Sequence, residues 1–149
     1  MTRELVLAID PGLRTGWVTW ARDANQVLAW GEDDEYDFCQ RVDRWLAATG
    51  PRVTVVAEAF VITRETAKKS QQPYSLYVIG AVRYLAAKHG AEGPRLRSAA
   101  DAKGFATNEK LRRLGWYRRG AGHATDAHRH LLVWAVEEGH VPPELLVAP

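Results

Sequence analysis

Three carboxylates in this chain stand where folding alone would not call for them. Asp10 follows the apolar run Leu5-Val6-Leu7-Ala8-Ile9 and opens the turn Pro11-Gly12. Glu58 ends the β-branched run Val53-Thr54-Val55-Val56-Ala57, and Asp126 lies in His123-Ala124-Thr125-Asp126 at the head of a late apolar stretch. A carboxylate at the mouth of a buried strand is desolvated and rigidly held, which favours a cation beside it. Hard oxygen donors suit magnesium or manganese. Two such ions ~3.5–4 Å apart stabilise the attacking water, the nonbridging oxygens and the leaving oxygen of a phosphodiester together. The residues therefore point to a divalent-metal phosphodiesterase with two ions per site, acting on nucleic acid. His123 and Asp126 are three positions apart and share a helix face. His123 is read either as a metal ligand or as carrier of the proton of the attacking water, a role suited to an unperturbed pKa near ~6.5. Taken singly, Asp10 could belong to a strand-ending turn, Asp126 to a helix first turn and His123 to a cap. Their conjunction at strand and helix ends carries the reading, while His128 and His130 are expected to face solvent.

The elements that must position these residues follow from hydrophobic periodicity. Leu5 to Ile9 is continuously apolar, as in a central strand covered on both faces. Gly12 and Gly16 are read as bracketing a turn. Trp17 to Ala21 and Gln26 to Trp30 flank Asp23-Ala24-Asn25 as a hairpin, so that strands one to three form an antiparallel meander. Asp33 to Ala48 has Phe38, Val42, Trp45 and Leu46 at helical spacing, with an acidic start that suits the helix dipole, and Gly50-Pro51 ends it. Val53 to Ala57 then returns parallel to strand one, because a helical crossover joins parallel neighbours. Neighbouring strands lie ~4.8 Å apart, so Asp10 and Glu58 should meet. Residues 61 to 72 read as a basic loop, Tyr74 to His89 as a helix of broad apolar coverage that could also face a partner subunit, and Pro94 to Arg97 as a short fifth strand. Ser98 with Asp101, and Thr107 or Asn108, are read as starts of short helices, and the last helix runs from about Ala124 to Glu138. The expected fold is α/β, a five-stranded mixed sheet flanked by helices.

The 149 residues fit one domain, residues 1–149, with enough chain to bury a core. Met1-Thr2-Arg3-Glu4 lacks the charged and apolar regions of a signal peptide, and no run approaches the ~20 apolar residues of a membrane span, so an intracellular, cytoplasmic protein is expected. The single cysteine, Cys39, excludes an intrachain disulfide and a cysteine-rich zinc site, and reads as a small core residue. A net charge of +2 conceals segregation. Glu32, Asp33, Asp34, Glu35 and Asp37 form an acidic run. Lys103, Lys110, Arg112, Arg113, Arg118 and Arg119 are opposed only by Glu109, with Phe105, Trp116 and Tyr117 interleaved. Basic residues set among aromatics suit a polyphosphate with exposed bases, although a solvated helix face would look the same.

Ile9-Asp10-Pro11-Gly12 with Thr15-Gly16, Ala57-Glu58-Ala59-Phe60 and His123-Ala124-Thr125-Asp126-Ala127 resemble the active-site segments of RuvC-type Holliday junction resolvases. Asp101-Ala102-Lys103-Gly104-Phe105-Ala106-Thr107 is similar to the basic segment that precedes the last helix in that family. The resemblance implies an RNase H-like fold, a homodimer, magnesium or manganese as cofactor, and nicking of opposed strands in four-way, branched DNA. By motif, Asp10, Glu58 and Asp126 would be metal ligands. At His123 many bacterial members carry an aspartate, and an imidazole there would favour manganese over magnesium. Phe60 is the nearest match to an aromatic wedge at the junction crossover, one place early. Arg64, Lys68, Lys69, Lys103, Lys110, Arg112, Arg113, Arg118 and Arg119 would hold the DNA backbone. The helix from Tyr74 to His89 would join two subunits about a twofold axis. The compact size would suit a phage-encoded or small bacterial enzyme. Three other readings keep the fold but change the activity. They are a nuclease relaxed among flaps and forks, an RNA-processing relative of the pre-ribosomal-RNA nucleases, and a noncatalytic nucleic-acid-binding module. An actin-like nucleotide-binding fold would need a second lobe.

Overall fold

The computed structural model describes residues 3–60, 64–65 and 72–147. Strands β1 (Leu5–Asp10), β2 (Arg14–Ala21) and β3 (Gln26–Asp34) lead to helix α1 (Glu35–Thr49) and a single 3₁₀ turn, Gly50–Arg52. Strand β4 (Val53–Glu58), helix α2 (Gln72–His89) and strand β5 (Glu92–Arg97) follow. The short helices α3 (Ala99–Phe105) and α4 (Asn108–Leu114) precede helix α5 (Gly122–Glu137), and Pro143–Leu146 forms a last 3₁₀ turn. The sheet order is β3-β2-β1-β4-β5. β1, β2 and β3 pair antiparallel, while β4 lies parallel to β1 and β5 parallel to β4. The mixed sheet expected from the apolar runs is the one observed.

Strand alternation divides the core in two. Leu5, Leu7 and Ile9 of β1, with Val53, Val55 and Ala57 of β4, pack against Phe38, Val42 and Leu46 of α1 and Val78, Val82 and Leu85 of α2. Val6 and Ala8, with Val18, Trp20 and Val56, face Ala127, Leu131 and Trp134 of α5, together with Ala102 of α3 and Leu111 of α4. Both faces of β1 are therefore covered, as its unbroken apolar run requires.

Several element ends differ from the sequence reading. Gly16 lies within β2, opposite Asp10, and not at the edge of a turn. The turn is confined to Pro11–Leu13, where Thr15 Oγ1 accepts from the Gly12 N–H and donates to the Gly12 carbonyl. β3 runs four residues past Trp30 because its acidic end finds partners. The indole of Trp17 and the guanidinium of Arg41 both donate to Asp33, each at 2.8 Å. Asp34 caps α1 by accepting from the Asp37 N–H at 2.9 Å. Ser98 and Thr107 cap α3 and α4 as their sequence positions indicate. Gly115, in the left-handed region at φ 72°, ends α4. The expectation that His128 and His130 face solvent is overturned: they are 0% and 1% exposed. The inner face of α5 is wide enough to bury both, and each has a hydrogen-bonding partner inside. Trp116 is also buried, edge-on to Trp20 at 6.2 Å, so it is core and not a surface for stacking bases. Cys39 is half-buried against the α1–α2 side of the core. Among the described residues no helix is long and apolar enough to cross a membrane.

Candidate active site

Register brings the first two carboxylates together. Ile9 of β1 lies beside Ala57 of β4, so the next residues, Asp10 and Glu58, end adjacent parallel strands. Both fall on the parity that faces α5. The first turns of α5 arrive over them because Gly16 is a glycine. A Cβ at that position would lie 1.9 Å from the His123 carbonyl oxygen and 2.0 Å from its carbon. Ala121, the N-cap of α5, offers no side-chain bond. Glu32 of β3 supplies one instead, accepting from the His123 N–H at 3.0 Å. An acidic group at a helix N-terminus is favourable both as an acceptor and toward the helix dipole.

On α5, positions 123, 126 and 130 recur on one face. The His123 Nδ1–H donates to Asp10 Oδ2 at 3.0 Å, and His130 Nε2–H donates to Glu58 Oε2 at 3.0 Å. Asp126 accepts from Arg129 Nε at 2.9 Å. Arg129 also reaches the Ala106 carbonyl and the Asn108 side chain, tying the site to the junction of α3 and α4. Asp10, Glu58, His123 and Asp126 line one open cleft of about 350 Å³, with Gly12, Arg14, Ser75 and Lys103 around its walls. That volume lies in the ~300–1,000 Å³ range of ligand sites. The Ser75 hydroxyl donates to the Pro11 carbonyl at 2.8 Å, fastening α2 to the turn that follows Asp10.

The electrostatics follow the geometry. Burial lifts the Asp10 carboxyl to about 6; the hydrogen bond from His123 works against this, and the nearby charges of Glu58 and Asp126 add to it. Burial also opposes ionisation of Glu58, but the hydrogen bond and attraction from His130 outweigh it and hold Glu58 below its ordinary range. His123 titrates above its usual value, chiefly because of its hydrogen bond to Asp10.

The donor set, three carboxylates and an imidazole at one cleft, fits a hard divalent cation, which would relieve the repulsion felt by Asp10. Among the described residues, no three His, Cys, Asp or Glu side chains are already converged as a metal-holding group. Each carboxylate is engaged by a nitrogen: Asp10 by His123, Glu58 by His130 and Asp126 by Arg129.

Of the basic residues singled out in sequence, Lys103 lines the cleft. Arg112 and Arg119 are exposed, with Arg112 over the Tyr117 ring at 4.4 Å. Lys110 donates to the Phe105 carbonyl at 2.8 Å, and Arg113 pairs with Glu109 at 2.7 Å. Arg118 is half-buried over Trp30, its Nε donating to His128 Nε2 at 3.3 Å. Arg64 is exposed and Phe60 half-buried just beyond β4, whereas Lys68 and Lys69 lie outside the described residues. Glu32, Arg129, His130 and Ser75 were not anticipated as parts of the site. The spacing of His130 from His123 and Asp126 carried a signal for one of them, and the i, i+3 relation of Arg129 to Asp126 for another.

A mixed sheet in this order, with carboxylates on the adjacent ends of β1 and β4 beneath the last helix, is an RNase H-like fold. Thermus thermophilus RuvC in complex with a Holliday junction substrate is similar to this chain with a TM-score of 0.65 and 16% identity, covering 91% of this chain and 96% of that one. A second Thermus thermophilus RuvC structure gives a TM-score of 0.64 and 18% identity, covering 91% and 97%. The likeness of fold thus extends over nearly the whole of both chains. No protein-family model matches this sequence, and no curated protein matches it.

Proposed function

We propose that this protein is a divalent-metal DNA endonuclease that resolves four-way junctions by paired nicks, acting as a homodimer on intracellular DNA. The observation that carries the proposal is the alignment of Asp10 and Glu58 at the ends of β1 and β4, beneath His123 and Asp126, in one open cleft. Asp10, Glu58 and Asp126 would hold magnesium or manganese, with His123 beside them. When bound, the ions supply Lewis-acid stabilisation of phosphodiester oxygens and an activated water. The protein's own groups arrange the rest. Asp10 accepts from His123 Nδ1–H, so Nε2 is the ring nitrogen left to hold or take a proton. Glu32 and Gly16 seat the first turn of α5 against the sheet, fixing the distance from His123 to Asp10.

Lys103 on the cleft wall suits a phosphate next to the scissile one. Arg64, Lys68, Lys69, Lys110, Arg112, Arg113, Arg118 and Arg119 would hold flanking backbone, with Phe60 near the crossover. Those contacts position DNA without reading its sequence. Dimerisation is assigned to α2, whose Leu76, Tyr77 and Tyr84 are 44%, 63% and 66% exposed. A twofold pair of sites would match a twofold junction.

The test is a panel of end-labelled four-way junction, fork, linear duplex and RNA–DNA hybrid, each with magnesium and with manganese. Paired nicks in the junction in preference to the others support the proposal. Equal cutting of forks and flaps would assign a relaxed branched-DNA nuclease, and preference for the hybrid an RNA-directed one. Binding of branched DNA without cleavage under either metal would assign a noncatalytic module.

A further inference from the structure

We propose that His130 is a positioning residue for Glu58, holding one carboxylate oxygen so that the side chain is fixed before metal and DNA arrive. The inference rests on the nuclease reading above and deepens it at the one ligand whose support comes from the interior of the protein.

His130 is 1% exposed on the inner face of α5. Its neighbours along that helix, Ala127, Leu131, Leu132 and Val133, are the apolar residues such a face ordinarily carries. An imidazole among them needs compensation for each polar atom removed from water. One atom has it: Nε2–H donates to Glu58 Oε2 at 3.0 Å. The other does not, because Nδ1 is buried without a hydrogen-bond partner among the described residues. Buried polar atoms are rarely left unpaired, and those that are call for an explanation. A leucine would fill the same place without an orphaned atom, so packing alone does not account for histidine here. The bond to Glu58 does.

Glu58 is also the carboxylate that most needs holding. Asp10 has two side-chain torsions and is pinned by His123. Glu58 has three, and it lies at the last position of β4, one residue past the end of that strand's pairing with β1. Left free, it would sample several rotamers at the cleft. With Oε2 taken by His130, the carboxylate is restricted and its remaining acceptor capacity stays available on the cleft side, where Glu58 lines the wall. Outer hydrogen bonds of this kind orient metal ligands, and their loss typically costs 10–100-fold in metal affinity or activity. Arg129, the preceding residue, does the same for Asp126 from the protein's edge, with 13% of its side chain exposed. His130 acts from the core.

The test measures Mn²⁺ affinity of the DNA-free protein by electron paramagnetic resonance of the unbound ion. It compares wild type with His130→Leu, His130→Asn and His130→Gln, each checked for folding by circular dichroism. Gln can extend an N–H donor toward Glu58, Asn is a methylene shorter, and Leu has no donor. The expected result is a Kd raised about 10–100-fold in Leu and Asn, with Gln recovering most of the loss. The Asn and Gln pair carries the test if Leu fails to fold. Wild-type Kd in folded Leu or Asn would overturn the assignment. Equal weakening in Asn and Gln would overturn it too, because the residue would then be acting by shape. Wild type that binds no Mn²⁺, with Asp10→Asn indistinguishable from it, would instead overturn the metal-nuclease reading and this inference with it.

Discussion

Replacing Gly16 with alanine should cost both stability and catalysis, through one steric event. The added Cβ would meet the His123 carbonyl oxygen at 1.9 Å and the Ala124 nitrogen at 2.5 Å, and real Cβ atoms do not approach closer than 3.0 Å. The start of α5 must therefore retreat by about 1.1 Å. That displacement carries His123 Nδ1 from 3.0 Å to about 4 Å from Asp10, beyond hydrogen-bonding range. Overpacking of this kind costs ~1–3 kcal/mol. For a chain of 149 residues this lowers Tm by roughly 2–12 °C. A misplacement of ~1 Å at a reacting group costs about 100-fold in rate. Gly104→Ala is the matching control. It lies within α3 with nothing inside 4 Å of its added Cβ, and a helical glycine replaced by alanine gains about 0.5–1 kcal/mol. Thermal melts and junction nicking on both variants provide the comparison. The reasoning fails if Gly16→Ala melts and cuts like wild type, or if Gly104→Ala loses as much.

Acid should weaken the fold through His128, whose burial lowers its pKa from 6.5 to about 4, with the Arg118 charge contributing in the same direction. Its Nδ1–H donates to the Ala124 carbonyl and its Nε2 accepts from Arg118, so the folded state holds the neutral ring while the unfolded chain protonates. Stability is therefore full above pH 6.5 and is lost as pH falls toward 4, by about 2 kcal/mol at pH 5. Urea unfolding from pH 7.5 to 5 should show wild type losing about that much more than His128→Gln, and parallel profiles would refute it. Arg129→Met should lower stability by about 1.5–3 kcal/mol, the worth of a hydrogen bond to a charged group, because it releases Asp126 and the turn between α3 and α4 together. An unchanged urea midpoint would show that Arg129 is dispensable there. Lys103→Ala should weaken junction binding regardless of sequence and reduce the salt slope by about 1. A slope equal to wild type would remove Lys103 from the DNA contacts.

The parts of this molecule legible in the sequence are those set by local pattern. Continuous apolar runs ending on Asp10 and Glu58 specified two central strands, and the helix between them required the parallel return that joins their ends. Ser98 was legible as a cap and Thr107 as one of two candidates with Asn108, because capping is a matter of a few residues. What sequence did not carry was decided by tertiary contact. His128 and His130 read as exposed, since a histidine declares its burial only when its partners are known, here Arg118 with the Ala124 carbonyl, and Glu58. Gly16 looked like a turn residue, although glycine within a strand also marks close backbone approach, which is its use here. Glu32 belonged to an acidic run with no evident target until β3 carried it beside the start of α5.

The most direct measurement is cleavage of an end-labelled four-way junction by wild type and Asp10→Asn side by side in Mg²⁺ and in Mn²⁺, with binding and folding measured on the same preparations. The expected result is paired nicks by wild type alone, with Asp10→Asn folded and still bound to the junction. Equal cleavage by both proteins would contradict the assignment of this cleft as the active site.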